Sequence, residues 1–338
     1  AQTSQIMEFR GTPIVSLPTT NGRDFVSQAF RMRGVPEHTI STLTASLSES
    51  TMTQYMSCYK KWWSFCHQND SDPWHPSPTS VIIFLQHVLD TSQVSYNSIN
   101  SFRSALALLS AEAIGTDSLV TRFVKGVYKL RPPAPRYDQT WDPQTVLSFL
   151  DREITGLEGL SEKLVTLLLL ATGQRLQTIS LIRIDQILVT PGVGMEIKIP
   201  DFVKTSGPHK CQPLLKLPFF QQKPHLCVAS LVQRYLSDTL SLRPDGSSFL
   251  FVTHKWPHKI ASKATLSRWV SSTLKKSGID TSIFRPHSTR HATSSAALRS
   301  GLSIDTICKY VGWSTRSETF ARFYNRPLSD KTLMQAVF

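Results

Sequence analysis

The chain has 338 residues, of which 40% are hydrophobic and 18% charged, and its formal net charge is +13. This composition excludes a disordered chain, and the length suffices for one or two globular domains. The longest apolar run, Leu164 to Ala171, is too short to span a membrane, so we expect no membrane partner. The chain begins Ala1-Gln2 with no initiator Met and no signal-peptide pattern, so we expect it to be a piece of a longer protein.

The cysteines give no sign of a disulfide or zinc framework. They are odd in number and scattered, and no Cys-x-x-Cys pair occurs among Cys58, Cys66, Cys211, Cys227 and Cys308. Small secreted domains and zinc modules need regular cysteine spacing. We therefore expect a reducing compartment.

Positive charge is concentrated in the second part of the chain. Residues 1–130 contain 10 basic and 9 acidic residues, whereas residues 131–338 contain 27 and 15. Between Lys198 and Arg299, 16 basic residues accompany only four acidic ones. Such an excess favours a surface that binds a polyanion, most often nucleic acid, although a solubilising surface gives the same count.

The first 130 residues predict an arm followed by an all-α bundle. Residues 1–35 contain Pro and Gly with little periodicity, so we expect a loose arm or one that a partner orders. Residues 36–130 show helical periodicity throughout, which predicts four or five short helices around one core. The expected helices span Thr39 to Leu47, Ser50 to His67, Val81 to Leu89, Ser95 to Glu112, and Leu119 to Leu130.

The second part predicts helices around a small antiparallel sheet. Arg131-Pro132-Pro133-Ala134-Pro135 cannot continue a helix and predicts a stiff linker over residues 131–141. Met195 to Val203 and Gln212 to Leu217 alternate as strands, which predicts a hairpin with Lys204 at its tip. The expected helices span Gln144 to Asp151, Ser161 to Ala171, Arg175 to Ile182, Val228 to Leu240, Lys263 to Ser277, His291 to Ser300, Ser303 to Tyr310, and Ser317 to Tyr324. The fold class is therefore mostly α with a small sheet (α+β).

Several familiar chemistries lack their motifs. His287 and His291 have the spacing of two zinc ligands on one helix face, but the Glu that metalloproteases need after the first His is Ser288 here. Ser288 is not part of the Gly-x-Ser-x-Gly elbow of serine hydrolases, and no glycine-rich phosphate loop occurs. The sequence therefore predicts no metal site, no nucleotide site and no cofactor.

Seven residues, taken in order, resemble the active-site string of the tyrosine recombinase (phage integrase-like) family: Arg175, Lys204, His287, Arg290, His291, Trp313 and Tyr324. The most specific parts are the box Ala171 to Arg175, the His-x-x-Arg-His motif, and Gly312-Trp313 followed by a C-terminal Tyr. The motifs Thr-Gly-Gln-Arg-x-Gln-Thr and Phe-Ala-Arg-Phe-Tyr are most similar to those of recombinases from eukaryotic DIRS/Ngaro-type retrotransposons or cryptons. The resemblance covers nearly the whole chain. It implies a helical core-binding (SAM-like) DNA-binding domain over 36–130, a catalytic domain over 142–326 and a tail over 327–338.

The resemblance also implies a mechanism. Tyr324 would attack the scissile phosphate, form a 3′-phosphotyrosine link and free a 5′-hydroxyl. Arg175 and Arg290 would stabilise the extra negative charge of the transition state, since fixed guanidiniums bind phosphate oxygens in pairs. The link conserves the energy of the broken bond, so neither metal nor ATP is needed.

Supporting roles follow in the same way. Lys204 would donate a proton to the leaving oxygen, and Lys210, across the same turn, is the alternative. His287 and Trp313 would hydrogen-bond to the phosphate. His291 is either an acid/base group or a buried histidine that caps the helix.

Two departures from the family pattern concern local geometry. The acidic residue that usually follows the first Arg by three positions is Thr178 here, so the side chain that supports Arg175 from behind must come from elsewhere. The spacing from Trp313 to Tyr324 is eleven rather than the common nine, which predicts a longer loop over Ser314 to Ser317.

Further DNA contacts are expected from exposed basic side chains, which give affinity independent of sequence. Trp62, Trp63 and Trp74 could stack on bases, but core packing is favoured because Trp62 lies on the apolar helix face. The candidate DNA-binding residues are Lys60, Lys61, Arg103, Lys210, Lys263 and Arg268.

The function implied is a site-specific DNA recombinase or integrase that serves a mobile element. Its partners would be double-stranded DNA and further copies of the chain, a dimer on one site and a tetramer in synapsis. It would be nuclear if the element is eukaryotic and cytoplasmic otherwise. The tail would pack on its own domain or on a neighbour. Two alternatives are a type IB topoisomerase-like activity and a catalytically silent DNA-binding protein.

Overall fold

The computed structural model describes residues 21–134, 136–204, 206–207 and 211–313. The chain divides between Ala134 and Pro135 into two compact units. The described part of the first unit is helical, and that of the second combines helices with one sheet, as the sequence predicted. The helices of the first unit are α1 Gly22–Met32, α2 Glu37–Ala45, α3 Glu49–Gln68, α4 Pro78–Thr91, α5 Tyr96–Leu109 and α6 Ser118–Leu130.

Helix α1 contradicts the prediction of a loose arm for its part of the sequence. Asn21 caps the helix, and Phe25 and Val26 are fully buried in the core of the first unit. The Phe25 ring stacks on Tyr59 of α3 with ring centres 4.8 Å apart. The Gly and Pro content of the first 35 residues hid a helix that is stabilised by tertiary packing rather than by local propensity.

Core packing explains the tryptophans of the first unit. Trp62 is buried, and its indole N–H donates a 2.8 Å hydrogen bond to the carbonyl of Pro73. Trp63 and Trp74 are partly buried against the same core. The predicted packing role is therefore confirmed for Trp62, since a buried indole needs a hydrogen-bond partner and has one.

The second unit is built around α8, Leu157–Thr172, which is buried along most of its length. Helices α10, α11 and α12 pack on it. It ends at Gly173, whose left-handed backbone turns the chain toward the candidate site. The other helices of this unit are α7 Pro143–Leu150, α9 Leu176–Ser180, α10 Val228–Thr239, α11 Lys263–Lys276, α12 Ser288–Arg299 and α13 Ile304–Val311.

The sheet has the order β1-β2-β3 and is antiparallel. Strand β2, Gly194–Lys198, pairs with β3, Leu214–Pro218, as the hairpin prediction required. Strand β1, Ile187–Thr190, was not predicted, because it is short, mostly exposed and therefore lacks an alternating pattern. The hairpin buries alternate residues against the unit, including Ile197 and Leu215.

In the described part of the chain, no helix combines the length and apolar character needed to cross a membrane.

Candidate active site

One cleft of the second unit collects most of the predicted catalytic residues. Its volume is about 460 Å³. Arg175, Lys204, His287 and Arg290 line it, although they come from distant parts of the chain. Lys263 and Arg285 add two more positive charges, and the described residues that line the cleft include no carboxylate. Such a cleft attracts and holds a phosphate group.

Arg290 is the most constrained of these residues. Its side chain is 1% exposed, and its two terminal nitrogens donate hydrogen bonds to the carbonyls of Gly173 at 2.8 Å and Val311 at 2.7 Å. The guanidinium also lies over the Trp313 ring, 4.4 Å from its centre. Two backbone carbonyls and an aromatic face therefore hold the guanidinium in a fixed orientation at the cleft.

The turn after α8 supplies the Gly173 carbonyl that binds Arg290, and its residues Gln174 and Arg175 line the cleft. Gly173 has φ +59, and a Cβ there would lie 2.6 Å from Val311 Cγ1. Gln174 donates a 2.7 Å hydrogen bond from its amide to the carbonyl of Tyr310 at the end of α13. Arg175 follows as the residue that precedes α9. Residues Ala171 to Arg175 therefore connect the end of α8 to the end of α13, and Arg175 adds a positive charge to the cleft.

His287 precedes α12 among these cations. Desolvation and the positive charges of Arg290, Arg175, Lys204 and Arg136 lower its pKa to about 4. The residue as a whole remains exposed, so we attribute much of the decrease to the four cations. At neutral pH the imidazole is uncharged and can exchange hydrogen bonds with a phosphate.

His291 lies one helical turn farther along α12 and is 7% exposed. Its ring meets those of His287 and Tyr137 edge to face, at centroid distances of 5.6 Å and 5.1 Å. This position is compatible with both predicted roles. Thr178, which replaces the usual acidic residue, is buried in α9.

Lys204 is exposed in the connection between β2 and β3 and lines the cleft. Arg183 holds the base of this connection by pairing its guanidinium with both carboxylate oxygens of Asp201, at 3.0 and 2.7 Å. The hydroxyl of Ser206 accepts a 2.9 Å hydrogen bond from the amide of Val203. These bonds fix the chain on both sides of Lys204.

The predicted DNA-binding residues fall in different places. Lys263 is exposed at the start of α11 and lines the cleft, whereas Arg268 is exposed one turn farther on. Lys60 and Lys61 are exposed on α3 of the first unit, beside a groove between α3 and α4. Arg103 of α5 is only half exposed, which weakens its case as a DNA contact.

Three predictions about single residues or segments of the site, and one about a loop, lie outside the described residues. The three are the nucleophile Tyr324 with its predicted helix, the alternative lysine Lys210, and the tail 327–338. The prediction of a longer loop over Ser314 to Ser317 lies outside them as well.

The structure adds residues that the motifs did not indicate. Tyr137 and Trp141, placed by the sequence in the linker, are each 4% exposed and pack against the start of α12. Tyr137 and Trp141 therefore pack within the second unit, although the sequence assigned them to the linker. Two aromatic residues within five positions after a proline-rich segment were the available signal, because large aromatic side chains seldom stay in solvent.

Comparison with known proteins identifies the family. Residues 141–330, more than half of the chain, match the phage integrase family. No curated protein sequence matches the chain.

Solved structures share the fold at low sequence identity. The XerH site-specific recombinase bound to palindromic difH substrate is 16% identical, with a TM-score of 0.59 over 85% of this chain and 79% of that chain. The Tn1549 transposon integrase with circular intermediate DNA is 15% identical, with a TM-score of 0.53 over 94% and 98%. A lambda integrase dimer bound to a COC′ core site is 15% identical, with a TM-score of 0.55 over 92% and 96%. The family match and the shared fold lead to one conclusion: the chain belongs to the phage integrase family, the tyrosine recombinases.

Proposed function

We propose that this protein is a site-specific DNA recombinase that cleaves and rejoins strands through a 3′-phosphotyrosine intermediate. The observation that carries the proposal is the convergence of Arg175, Lys204, His287 and Arg290 on one cleft. A protein that only binds DNA has no need to bring these four side chains together. The positive, carboxylate-free lining of the described cleft fits one phosphodiester group.

Arg290 and Arg175 are assigned to the non-bridging oxygens of the scissile phosphate. Arg290 is fixed by the carbonyls of Gly173 and Val311 before any DNA binds. A positive charge that is already in place stabilises the transition state without the cost of reorganisation. Neutral His287 adds a hydrogen bond to the same phosphate.

The chemical step is a transesterification at phosphorus. The Tyr324 oxygen forms a bond to phosphorus while the bond from phosphorus to the 5′-oxygen breaks. The phenol proton passes to His291, and Lys204 donates a proton to the leaving 5′-oxygen. Attack of a 5′-hydroxyl on the phosphotyrosine reverses these transfers and joins the strands.

The partner is duplex DNA, and the context is a mobile element. The XerH and Tn1549 structures contain a difH substrate and circular intermediate DNA, and the lambda integrase structure is a dimer on its core site. By analogy we assign this chain a dimer on one site and a tetramer in synapsis. The sequence motifs favour a DIRS/Ngaro-type retrotransposon or a crypton. The reaction would then take place in the nucleus.

Covalent trapping tests the proposal. The protein is incubated with a library of randomised duplexes that carry a nick, so that the fragment released after cleavage escapes and the adduct accumulates. Sequencing of the attached strands then maps the cleavage position. Tyr324→Phe is expected to bind DNA and form no adduct. The control is Tyr310→Phe, which removes the hydroxyl of an exposed tyrosine and is expected to form the adduct at the wild-type level.

Other outcomes would replace the proposal. An adduct in the Tyr324→Phe protein would exclude Tyr324 as nucleophile. Relaxation of supercoiled DNA without exchange between two selected sites would indicate a type IB topoisomerase-like activity. DNA binding without adduct would indicate a silent descendant of a recombinase.

A further inference from the structure

We propose that residues 136–141, here called the anchor segment, complete the catalytic site. Tyr137 and Trp141 act as positioning residues for the start of α12, and Arg136 adds a positive charge beside Tyr137. The inference deepens the proposed function and rests on it, because it concerns how the assigned histidines are held.

Two hydrogen bonds from the anchor segment bracket His287. The backbone N–H of Arg285 donates to the hydroxyl of Tyr137 at 3.2 Å. The indole N–H of Trp141 donates to the hydroxyl of Ser288 at 2.9 Å. One anchor therefore lies two residues before His287 and the other one residue after it.

The start of α12 needs such support because of its local structure. His287 occupies the capping position, but its side chain makes no capping hydrogen bond to the helix. The first amides turn back tightly instead, with Ser288 N–H donating to the Arg285 carbonyl at 2.7 Å and Arg290 N–H to the His287 carbonyl at 3.2 Å. These bonds shape the turn internally, and the anchors tie it to the rest of the unit.

Ring contacts extend the same support to His291. The rings of Tyr137, His291 and His287 meet in sequence, each pair nearly perpendicular at 82° and 85°. Tyr137 is 4% exposed and His291 is 7% exposed. A buried aromatic ring on one side of His291 leaves the imidazole little room to rotate.

Arg136 contributes charge from the first position of the segment. Its guanidinium is exposed and lies 5.8 Å from the centre of the Tyr137 ring. Its charge is one of the four that lower the pKa of His287. The segment thus supplies two positioning side chains and one cation to the same few residues.

The first test uses the protein without DNA, so that it does not depend on activity. The pKa values of His287 and His291 are measured by NMR titration of the imidazole protons. Arg136→Gln is expected to raise the pKa of His287 above about 4. The matched control is Arg152→Gln, since Arg152 also stacks on an aromatic ring, that of Phe149, and is not among the cations that act on His287.

The second test examines Trp141 and Ser288 as a pair. Trp141→Phe and Ser288→Ala each remove one side of the hydrogen bond and keep the bulk of the side chain. Each is expected to slow adduct formation on the trapped duplex by about 10-fold or more, with unchanged duplex affinity. The double variant is expected to be no slower than either single variant, because both changes remove the same interaction.

Tyr137 offers a graded comparison. Tyr137→Phe keeps the ring against His291 and loses the hydroxyl, whereas Tyr137→Leu loses both. We expect the Leu variant to form adduct more slowly than the Phe variant, because only the Phe variant keeps the ring that packs against His291.

The inference is overturned if the Trp141 and Ser288 variants form adduct at the wild-type rate, if their losses multiply in the double variant, or if Arg136→Gln leaves the pKa of His287 unchanged. A purely structural role would lower the midpoint of urea unfolding without altering either histidine pKa. If wild-type protein forms no adduct, the proposed function fails, and the NMR measurements alone decide on the anchor segment.

Discussion

The guanidinium carbon of Arg290 lies 4.4 Å from the centre of the Trp313 ring, while its two terminal nitrogens donate hydrogen bonds to the carbonyls of Gly173 and Val311. Arg290 is buried, so this contact involves a cation that has lost most of its water. Cation–π contacts are strongest under that condition. Trp313, which the sequence predicted as a ligand of the phosphate, therefore also supports the arginine.

Removal of the Trp313 ring is expected to destabilise the protein. Trp313→Ala should lower the free energy of unfolding by about 2 kcal/mol, because a desolvated cation–π contact is lost, and Trp313→Phe should retain part of it. Urea unfolding measures both. Trp256→Ala is the matched control, since Trp256 is 86% exposed and its loss should change stability by about 0.5 kcal/mol or less. Equal stability of the Trp313→Ala and wild-type proteins would contradict the prediction.

Gly173 should tolerate no side chain. Gly173→Ala forces a Cβ into the left-handed region and within 2.6 Å of Val311 Cγ1, so we expect a loss of about 1–3 kcal/mol. Gly192→Ala is the control, because Gly192 has a similar φ of +75 but open space around it. Thermal unfolding should show a larger loss at Gly173, and Val311→Ala in the same chain should restore part of it. A loss no greater than that of Gly192→Ala would show that the contact with Val311 is unimportant.

The pKa of His287 should respond to salt. Desolvation and four positive charges lower this pKa to about 4, and dissolved ions screen charges that face solvent. NMR titrations at about 0.05 and about 0.5 M NaCl should give a higher pKa of His287 at the higher salt concentration. A salt-independent pKa would assign the whole decrease to desolvation.

Lys163 gives the stability of the second unit a pH dependence above neutrality. The lysine is 2% exposed and donates a 2.7 Å hydrogen bond to the carbonyl of Arg152, and burial lowers its pKa to about 8. Between pH 8 and the ordinary pKa of about 10.5 the unfolded chain binds this proton and the folded chain does not. The free energy of unfolding should therefore rise across this window in wild type relative to Lys163→Met. Urea unfolding of both proteins at about pH 7.5 and about pH 10 measures this. The prediction is refuted if the difference in the free energy of unfolding between wild type and Lys163→Met is the same at both pH values.

Among the residues that the structure describes, sequence predicted the helices of the second unit and the hairpin, because most of them have a periodic pattern and a clear boundary. Helix α8 ends at Gly173, and α11 begins after the capping residue Ser262, whose side chain accepts a hydrogen bond from the Thr265 amide. Both signals are local. The order of Arg175, His287 and Arg290 also indicated that they share a site, and in the structure all three line one cleft.

Long-range packing accounts for what the sequence did not predict. Helix α1 is stable because Phe25 meets Tyr59, a residue 34 positions away in the sequence. The Trp141 and Ser288 pair spans 147 positions, and no local pattern in either segment points to the other. The hydrogen-bond acceptors Gly173 and Val311 meet Arg290 through their backbone carbonyls, which no residue type reveals.

The end of α13 is held in place, and this limits where Tyr324 can act. Trp313 N–H donates to the Cys308 carbonyl at 2.8 Å, and Gln174 holds the carbonyl of Tyr310. Tyr324 follows Trp313 by eleven residues, and a chain of that length reaches roughly 40 Å when fully extended. Any phosphate that the proposed nucleophile attacks, on its own protomer or on a neighbour, must therefore lie within about that distance of Trp313 plus the length of the Tyr324 side chain.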